Sequence, residues 1–500
     1  MQFLLLPILL LGGYLRFYNN TAVALWHDEA FSALYIAKYG WAEMMHRIIL
    51  DVHPPLYYIV LRLWAYIFGH SILSLRGMSI LFGLLTIWAG YLFISRAFRN
   101  RGYALLGALL IAVNPFQIQY ALEVRMYTFG TFLALISSYL LIKAFEDKKA
   151  VTWILYGITV SAMAYTHYFL FFTIAAQGLY ALYYLIREHR SGLFAAKDTY
   201  LMIGSYLLSL LLYIPWIPSL MQQIGRVEGS YWIPAPDRWS IPGTIWKMAF
   251  GGQGINHPTL VIATVVTVIL AIYLLVKMTQ PAKWLVFLGL VVPFLASLLL
   301  SYKTAIYLDR YFVFASLYFS ILAALSLVSI PGRAIRRSLL AVFAIASVVI
   351  FFQNWKVLDV KDFGSSANKR PGMADASAII NEEAQPNDKI FVGSSFVFFT
   401  FQYYNHTPIR PLLLSSGSIE TIPHFSGTAI LSADDLQLTQ DGLVPPSAVK
   451  KSDKIWLLWT TGWGGSKPNV PGNWRKIQER EFPDTPGFKG SDYVTEYQVN

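Results

Sequence analysis

The chain has 500 residues, of which 56% are hydrophobic and 13% are charged, and its formal net charge is +11. This composition excludes an ordinary soluble protein and indicates a polytopic membrane protein. The Lys and Arg residues form short clusters between apolar segments, which is typical of cytoplasmic loops and not of a nucleic-acid-binding surface. The sequence contains no cysteine, which excludes disulfides and thiolate metal sites.

The first apolar segment, 2–18, has no basic start and no small-residue cleavage site, so we expect a transmembrane helix and not a signal peptide. The segment 53–69 is short, begins with two prolines after His53 and contains Arg62, so it either crosses the membrane or lies on its surface. If it crossed, the basic loop 96–102 would face outside, so the positive-inside rule favours the surface position. About eleven segments are long enough to cross a bilayer. They lie near 2–18, 73–95, 103–120, 126–145, 151–167, 168–186, 199–217, 258–276, 284–302, 311–330 and 338–354.

The basic loops set the expected orientation, because positive charge favours the cytoplasmic side. With 53–69 on the surface, the N-terminus is cytoplasmic, and residues 19–72 form a large first external loop with amphipathic juxtamembrane helices. Three further segments then lie outside: 114–125, 218–257 and 301–311. We therefore expect a multi-pass protein of the cell membrane.

After residue 356 the composition becomes that of a soluble domain. The stretches "KIFVGSS", "PIRPLLL", "GTAILSA" and "KIWLLWT" are candidate strands separated by helices or turns. We therefore expect a transmembrane domain over 1–356 and a mixed α/β domain over 357–500. An odd number of spans places the second domain outside the cytoplasm.

The stretch "ALWHDEAFSAL" contains the adjacent carboxylates Asp28 and Glu29 just after the first apolar segment. A carboxylate close to the hydrocarbon boundary has a raised basicity and can serve as a general base toward a hydroxyl. The alternative is structural, with Asp28 as the N-cap of the following helix and Glu29 in its first turn. One acid can fill both roles.

Further polar residues lie at the expected outer boundary. His53 stands before the proline pair, either as an exposed helix start or as a donor to an anionic head group, and Tyr57 follows it. Glu123 and Arg125 lie two residues apart at the end of a span, with Tyr127 beside them. An aromatic belt with a snorkelling arginine is the alternative there, but a glutamate does not belong in such a belt.

Two external turns add further candidates. His167 lies in a tight turn between two spans, where a lone histidine is more often structural. Arg310 and Tyr311 lie at another outer boundary, where the guanidinium is suited to a phosphate. The expected topology sends all these residues to one side. A base beside phosphate-binding cations is what hydroxyl attack on a phosphate-activated group requires.

The ordered motifs "HDEAFSALYIA", "HPPLYYIVLRLWAYIFGHSILSLRGMSILFGLL" and "NPFQIQYALEVRMYTFG" resemble those of the GT-C membrane glycosyltransferases. The resemblance is to bacterial enzymes related to protein O-mannosyltransferases and to the aminoarabinose lipid A transferase. It covers residues 1–330 in pattern and is strongest over 20–145.

The resemblance implies inverting transfer of a sugar, such as mannose or a modified hexose, from a polyprenyl-phosphate donor to a protein, lipid or glycan acceptor. It implies that Asp28 is the base or a carboxylate that orients the acceptor, with Glu29 beside it. The implied phosphate or sugar contacts are His53, Tyr57, Glu123, Arg125, Tyr127, His167, Arg310 and Tyr311. The chain has an Asp-Glu pair and no Asp-X-Asp triplet. Both a reaction that requires a divalent cation and one that does not are compatible with this motif.

Two other classes of protein compete with this interpretation. A flippase or transporter of lipid-linked sugars would place charged residues near the middle of the membrane, whereas these gather at one interface. A polysaccharide polymerase or ligase of another fold would also use external Arg and His residues, but it would not need the early acidic motif.

Overall fold

The structure of the chain is a computed structural model. It describes residues 4–18, 20–189, 196–229, 232–251, 256–332, individual residues between 334 and 345, 372–484 and 490–500. The chain divides into two compact units. The helical unit comprises Met1–Tyr18, Val52–Val60 and Arg76–Asn354. The sheet unit comprises Asn19–Asp51, Leu61–Leu75 and Trp355–Asn500.

Helices dominate the chain as far as residue 329. They are α1 (Leu5–Phe17), α2 (His27–Lys38), α3 (Trp41–Leu50), α4 (Leu56–Phe68), α5 (Ile72–Phe98), α6 (Arg101–Val113), α7 (Pro115–Ala121), α8 (Tyr127–Asp147), α9 (Ala150–Ala164), α10 (Leu170–Glu188), α11 (Lys197–Tyr213), α12 (Ile217–Gly229), α13 (Ser240–Phe250), α14 (His257–Lys277), α15 (Lys283–Ser301) and α16 (Val313–Ser329).

Among the described residues, seven helices are long and apolar enough to cross a membrane, or eight if the bent pair α6–α7 is one span. Helices α1, α4 and α9 are apolar but shorter. The multi-pass membrane character is thus supported, while the expected number of about eleven spans stays a prediction. The expected span 338–354 lies largely outside the described residues.

The break between α6 and α7 has a local cause. Asn114 ends α6 and caps α7, where its Oδ1 accepts the Gln117 backbone N–H at 2.9 Å, and Pro115 opens α7. The break exposes carbonyl groups at the end of α6. Arg16 of α1, which is 1% exposed, donates to the carbonyls of Ala112 at 2.8 Å and Ile111 at 3.3 Å. A buried side chain thereby satisfies the backbone that the bend leaves open.

A polar network joins the helices that carry the candidate site. Gln177 of α10 donates to the hydroxyls of Ser137 at 2.7 Å and Ser138 at 3.1 Å, both on α8. The Tyr156 hydroxyl of α9 donates to Gln177 Oε1 at 3.2 Å, and Ser138 lies 2.8 Å from the Tyr318 hydroxyl of α16. Four helices thus share one buried set of hydrogen bonds, which fixes their relative rotation.

The C-terminal part of the sheet unit is mixed α/β, as expected. Its helices are α17 (Met373–Glu383) and α18 (Ser395–Tyr404). Its strands are β1 (Lys389–Val392), β2 (Leu412–Ser415), β3 (Leu436–Leu438), β4 (Lys454–Thr460), β5 (Trp474–Pro483) and β6 (Ser491–Val499).

One sheet orders these strands β3-β2-β1-β4-β6-β5. Strands β1 to β4 pair in parallel, and β6 is antiparallel to both β4 and β5. One face of the sheet buries Phe391, Ile455, Leu457 and Trp459 in a common core with residues of β5 and β6.

The prediction of a strand at "GTAILSA" is wrong. Gly427 adopts φ +82°, and the residues after it form a 3-10 turn over Thr428–Ile430. A left-handed residue cannot continue an extended strand, so the strand of this region begins later, at Leu436.

The sheet unit also contains most of the expected first external loop. Lys38 at the end of α2 lies 3.3 Å from Asp435, and the Tyr39 hydroxyl donates to the Ile430 carbonyl at 2.8 Å. Arg47 of α3 donates to the Ala429 carbonyl at 3.0 Å. Residues far apart in the sequence therefore form one compact body. The division into domains at residue 356 stays a prediction.

Candidate functional site

The acidic motif begins helix α2, but its two acids have different positions. Trp26 is the N-cap, with extended backbone at φ −91° and ψ 175°, so Asp28 and Glu29 are the second and third residues of the helix. Glu29 is 1% exposed, and its Oε2 accepts the Trp26 N–H at 3.5 Å. The prediction that Asp28 is the N-cap is therefore wrong, because the helix starts earlier. Glu29 does the capping, and Asp28 is half-buried.

His27, the neighbour of the acids, is held within the sheet unit. Its Nδ1 lies 3.2 Å from the Ser395 carbonyl, and since a carbonyl only accepts, Nδ1 carries the proton. Its ring centroid lies 5.4 Å from those of Phe396 and Phe399. These contacts fix the start of α2, and with it the backbone that carries Asp28.

In the helical unit, Arg125 and His53 form a direct pair. Arg125 follows the turn after α7 and is 4% exposed, while His53 precedes α4. Arg125 Nη2 donates to His53 Nε2 at 3.1 Å. A guanidinium has no acceptor, so Nε2 accepts, and His53 is the neutral imidazole with its proton on Nδ1. The pair therefore carries one positive charge, on Arg125.

His167 lies beside this pair, in the turn between α9 and α10. Its Nδ1 accepts the Phe169 backbone N–H at 3.1 Å, so Nε2 carries the proton. Within the described part of the chain this Nε2–H has no hydrogen-bond partner, although His167 is only 5% exposed. A buried donor without an acceptor is costly and suits a ligand that supplies one. We call His53, Arg125 and His167 the His–Arg cluster.

Aromatic residues surround the cluster. The ring centroid of His167 lies 5.0 Å from that of Tyr311, 6.1 Å from that of Tyr127 and 6.3 Å from that of His53. The structure thus brings together five of the residues that the sequence selected, from four separate segments. These five residues therefore lie together at one end of the helical unit.

The other selected residues lie close to these segments. Ser79 donates to the Glu123 carbonyl at 2.6 Å, which fixes the turn before Arg125. Tyr57 is the second residue of α4 and is fully buried, with its ring 5.6 Å from that of Tyr58. These contacts position the two residues in the fold, and their roles toward a substrate stay predictions.

Arg310 lies in the 3-10 turn Asp309–Phe312 before α16. Its guanidinium carbon lies 5.8 Å from the ring centroid of Trp232, a cation–π distance. The adjacent Asp309 forms an ion pair with Lys247 of α13. Sequence reasoning missed Lys247 and Trp232, and the signal for them was the Trp- and Pro-rich composition of segment 218–257.

Across the described part of the chain, no group of three or more His, Asp or Glu side chains is arranged to hold a metal ion. The His–Arg cluster and the rings around it provide one guanidinium, two neutral imidazoles and several phenols. This set is suited to an anion with several acceptor oxygens.

Comparisons with known proteins agree with this fold. The family model described as dolichyl-phosphate-mannose-protein mannosyltransferase matches residues 52–218, a third of the chain. The matched region contains the whole His–Arg cluster. A search of curated proteins finds no significant match.

Two solved structures illustrate the structural similarity. ArnT from Cupriavidus metallidurans bound to undecaprenyl phosphate aligns with a TM-score of 0.60 and 13% identity, over 98% of this chain and 97% of that chain. The Archaeoglobus fulgidus oligosaccharyltransferase aligns with a TM-score of 0.48 and 14% identity, over 81% of this chain. This chain spans only 61% of the archaeal enzyme's length.

The chain therefore has the fold of a GT-C membrane glycosyltransferase, and the resemblance seen in its sequence motifs is confirmed. Within that class, the fold is similar to that of ArnT over nearly the full length of both chains. At 13% identity this similarity defines the fold, and the activity is argued separately from the site.

Proposed function

We propose that the protein is an inverting glycosyltransferase that moves a sugar from a polyprenyl-phosphate donor to an acceptor on the extracytoplasmic side of the membrane. The observation that supports this most is the buried His–Arg cluster. Arg125 presents a planar fork that matches phosphate oxygens, and the His167 Nε2–H is a buried donor without a protein acceptor among the described residues.

A phosphate in this cluster would be stabilised more strongly than in water. Arg125 and His167 are both at least 95% buried, and hydrogen bonds to charged groups are stronger where water is excluded. The phosphate is the leaving group of the proposed reaction, so stabilising its charge lowers the barrier. The ArnT structure named above contains undecaprenyl phosphate, which supports a lipid phosphate as the ligand.

In the proposed step, an acceptor oxygen attacks the anomeric carbon from the face opposite the phosphate. The bond between that carbon and the phosphate oxygen breaks, and its electron pair leaves with the polyprenyl phosphate. The acceptor proton passes to the carboxylate of Asp28. We assign this role to Asp28 because Glu29 is buried and accepts the Trp26 N–H, whereas Asp28 is half-buried.

The experiment uses purified full-length protein with polyprenyl-phosphate hexoses labelled in the sugar, beginning with mannose, and with membrane and protein fractions as acceptors. Label should move from the lipid to an acceptor. A flippase would move the lipid across a vesicle without breaking the sugar–phosphate bond, so intact donor in every reaction contradicts the proposal. Parallel reactions with EDTA, Mg²⁺ or Mn²⁺ determine whether a divalent cation takes part.

A further inference from the structure

A chain of hydrogen bonds leads from the 3-10 turn Ile214–Trp216, through Gln223 of α12, to the backbone of His53. Trp216 Nε1 donates to the Tyr168 hydroxyl at 3.0 Å, and that hydroxyl donates to Gln223 Oε1. Gln223 Nε2 then donates to the His53 carbonyl at 3.4 Å, the longest of the three contacts. Gln223 is 1% exposed, so its polar amide is buried within the protein.

The direction of each bond is set by the chemistry of the groups. An indole N–H only donates, so the Tyr168 oxygen accepts from Trp216 and directs its own proton to Gln223. This fixes the orientation of the Gln223 amide, with its NH₂ group toward His53. The Gln223 side chain therefore has a determined acceptor end and a determined donor end.

The His53 carbonyl lies before α4, in a segment without regular secondary structure, so its hydrogen bond comes from a residue distant in the sequence. Pro54 and Pro55 have no N–H, and α4 begins only at Leu56. The Leu56 N–H donates to the Tyr165 carbonyl at 3.0 Å, so the segment before α4 is held by the turn that also carries Tyr168. Hydrogen bonds from distant parts of the chain thus replace regular secondary structure here.

We propose that Gln223 is a positioning residue that holds His53 so that its Nε2 orients the guanidinium of Arg125. This inference rests on the proposed function, because the oriented guanidinium is the proposed phosphate contact. Arg125 has five N–H donors in one plane, and the bond to His53 fixes that plane. Rotation of the His53 backbone would turn the fork away from the phosphate.

The test compares Gln223→Leu with Gln222→Leu. Gln222 is the exposed neighbour in the same helix, so the two variants make the same chemical change in the same element. Gln223→Leu should raise the KM for a polyprenyl-phosphate sugar by about three- to tenfold, the effect of one lost hydrogen bond, with a smaller change in kcat. Gln222→Leu should match the native protein. Equal KM values for the two variants would overturn the inference.

A background variant distinguishes positioning from a general loss of structure. In His53→Ala protein, Gln223→Leu should cause no further rise in KM, because the residue through which it acts is already altered. Independent losses that multiply would contradict the inference. Gln223→Glu keeps the acceptor for Tyr168 but removes the N–H donor, so it should impair donor binding as Leu does. Native behaviour of the Glu variant would also count against the role.

Failure of this inference and failure of the proposed function give different results. Binding of polyprenyl phosphate alone is measured for the native protein, Arg125→Lys and Gln223→Leu. If Arg125→Lys weakens binding and Gln223→Leu does not, the positioning role is wrong and the proposed function stands. If neither variant changes binding, the phosphate site itself is wrong. Should Gln223→Leu not fold, Tyr168→Phe, which removes the bond that orients Gln223, should raise KM in the same direction.

Discussion

The guanidinium of Arg125 donates a hydrogen bond to His53 Nε2 at 3.1 Å, although 72 residues separate the two in the chain. The contact joins the turn after α7 to the proline-rich start of α4. It also sets the charge of the pair, because the imidazole that accepts this bond is neutral. The buried positive charge of Arg125 and the buried Nε2–H of His167 together are the basis of the proposed phosphate site.

The first prediction concerns the shape of that charge. Arg125→Lys keeps the positive charge but loses the planar fork and the bond geometry toward His53. The dissociation constant for polyprenyl phosphate should rise about tenfold. The matched control is Arg101→Lys at the exposed start of α6, which should leave binding unchanged. Equal affinities for native protein and the Arg125 variant would exclude Arg125 from the site.

The second prediction separates the two acids of α2. Asp28→Asn should reduce kcat by about 10²- to 10⁴-fold, the range for loss of a general base, while the melting temperature stays close to native. Glu29→Gln should keep most of the activity, because the Gln amide oxygen can still accept the Trp26 N–H. The opposite ranking of the two variants would transfer the base role to Glu29.

The sequence predicted which residues lie together at the site better than it predicted the contacts that hold those residues in place. His53, Arg125 and His167 were selected because the basic loops set a topology that sends them to one side, and the structure brings them together. The tie between His53 and Gln223 and the position of Trp232 near Arg310 join distant segments. Neither Gln223 nor Trp232 belongs to a local motif, so sequence periodicity gave no signal for these two residues.

The fold shows the same division between local and distant information. Apolar length identified most helices, and short apolar runs indicated strands such as β1 and β4. The prediction failed at "GTAILSA", where the left-handed backbone of Gly427 interrupts an apolar run. The clustering of Asn19–Asp51 with the C-terminal residues depends on pairs such as Lys38 and Asp435, which only the folded chain brings together.

The third prediction concerns the broken helix. Arg16→Leu removes the donors to the carbonyls of Ala112 and Ile111 and leaves them buried without a partner. The protein should lose about 1–3 kcal/mol of stability, seen as a lower melting temperature in detergent. Arg101→Leu, at an exposed position, is the control and should melt as the native protein does. A native melting temperature for Arg16→Leu would show that Arg16 does not support the bend.

The fourth prediction is a pH dependence of stability in the sheet unit. Asp492 of β6 is 1% exposed, and neither of its carboxylate oxygens has a hydrogen-bond partner among the described residues. Burial, and then the charge of Asp484, raise the pKa of Asp492 well above its usual value. The Thr460 hydroxyl opposes this in part, but its one proton points to Asp484 at 3.0 Å.

The native protein therefore binds the Asp492 proton more tightly than the unfolded chain does, where aspartate titrates near pH ~3.9. The stabilising contribution of that proton is complete below the unfolded pKa and is lost as the pH rises toward the folded pKa. Asp492→Asn should raise the melting temperature at pH ~8, with an advantage that shrinks as the pH falls toward ~4. An advantage that is constant with pH would contradict this account.

The most direct test of the central claim measures both products of one reaction. Purified protein is incubated with a polyprenyl-phosphate sugar labelled in the sugar and in the phosphate, together with an acceptor fraction, and Asp28→Asn is measured in parallel. We predict one polyprenyl phosphate released for each sugar transferred, with an inverted anomeric centre in the product and a turnover about 10²- to 10⁴-fold lower in the variant. A donor that stays intact with every acceptor, or a product that retains the configuration of the donor, would contradict the account.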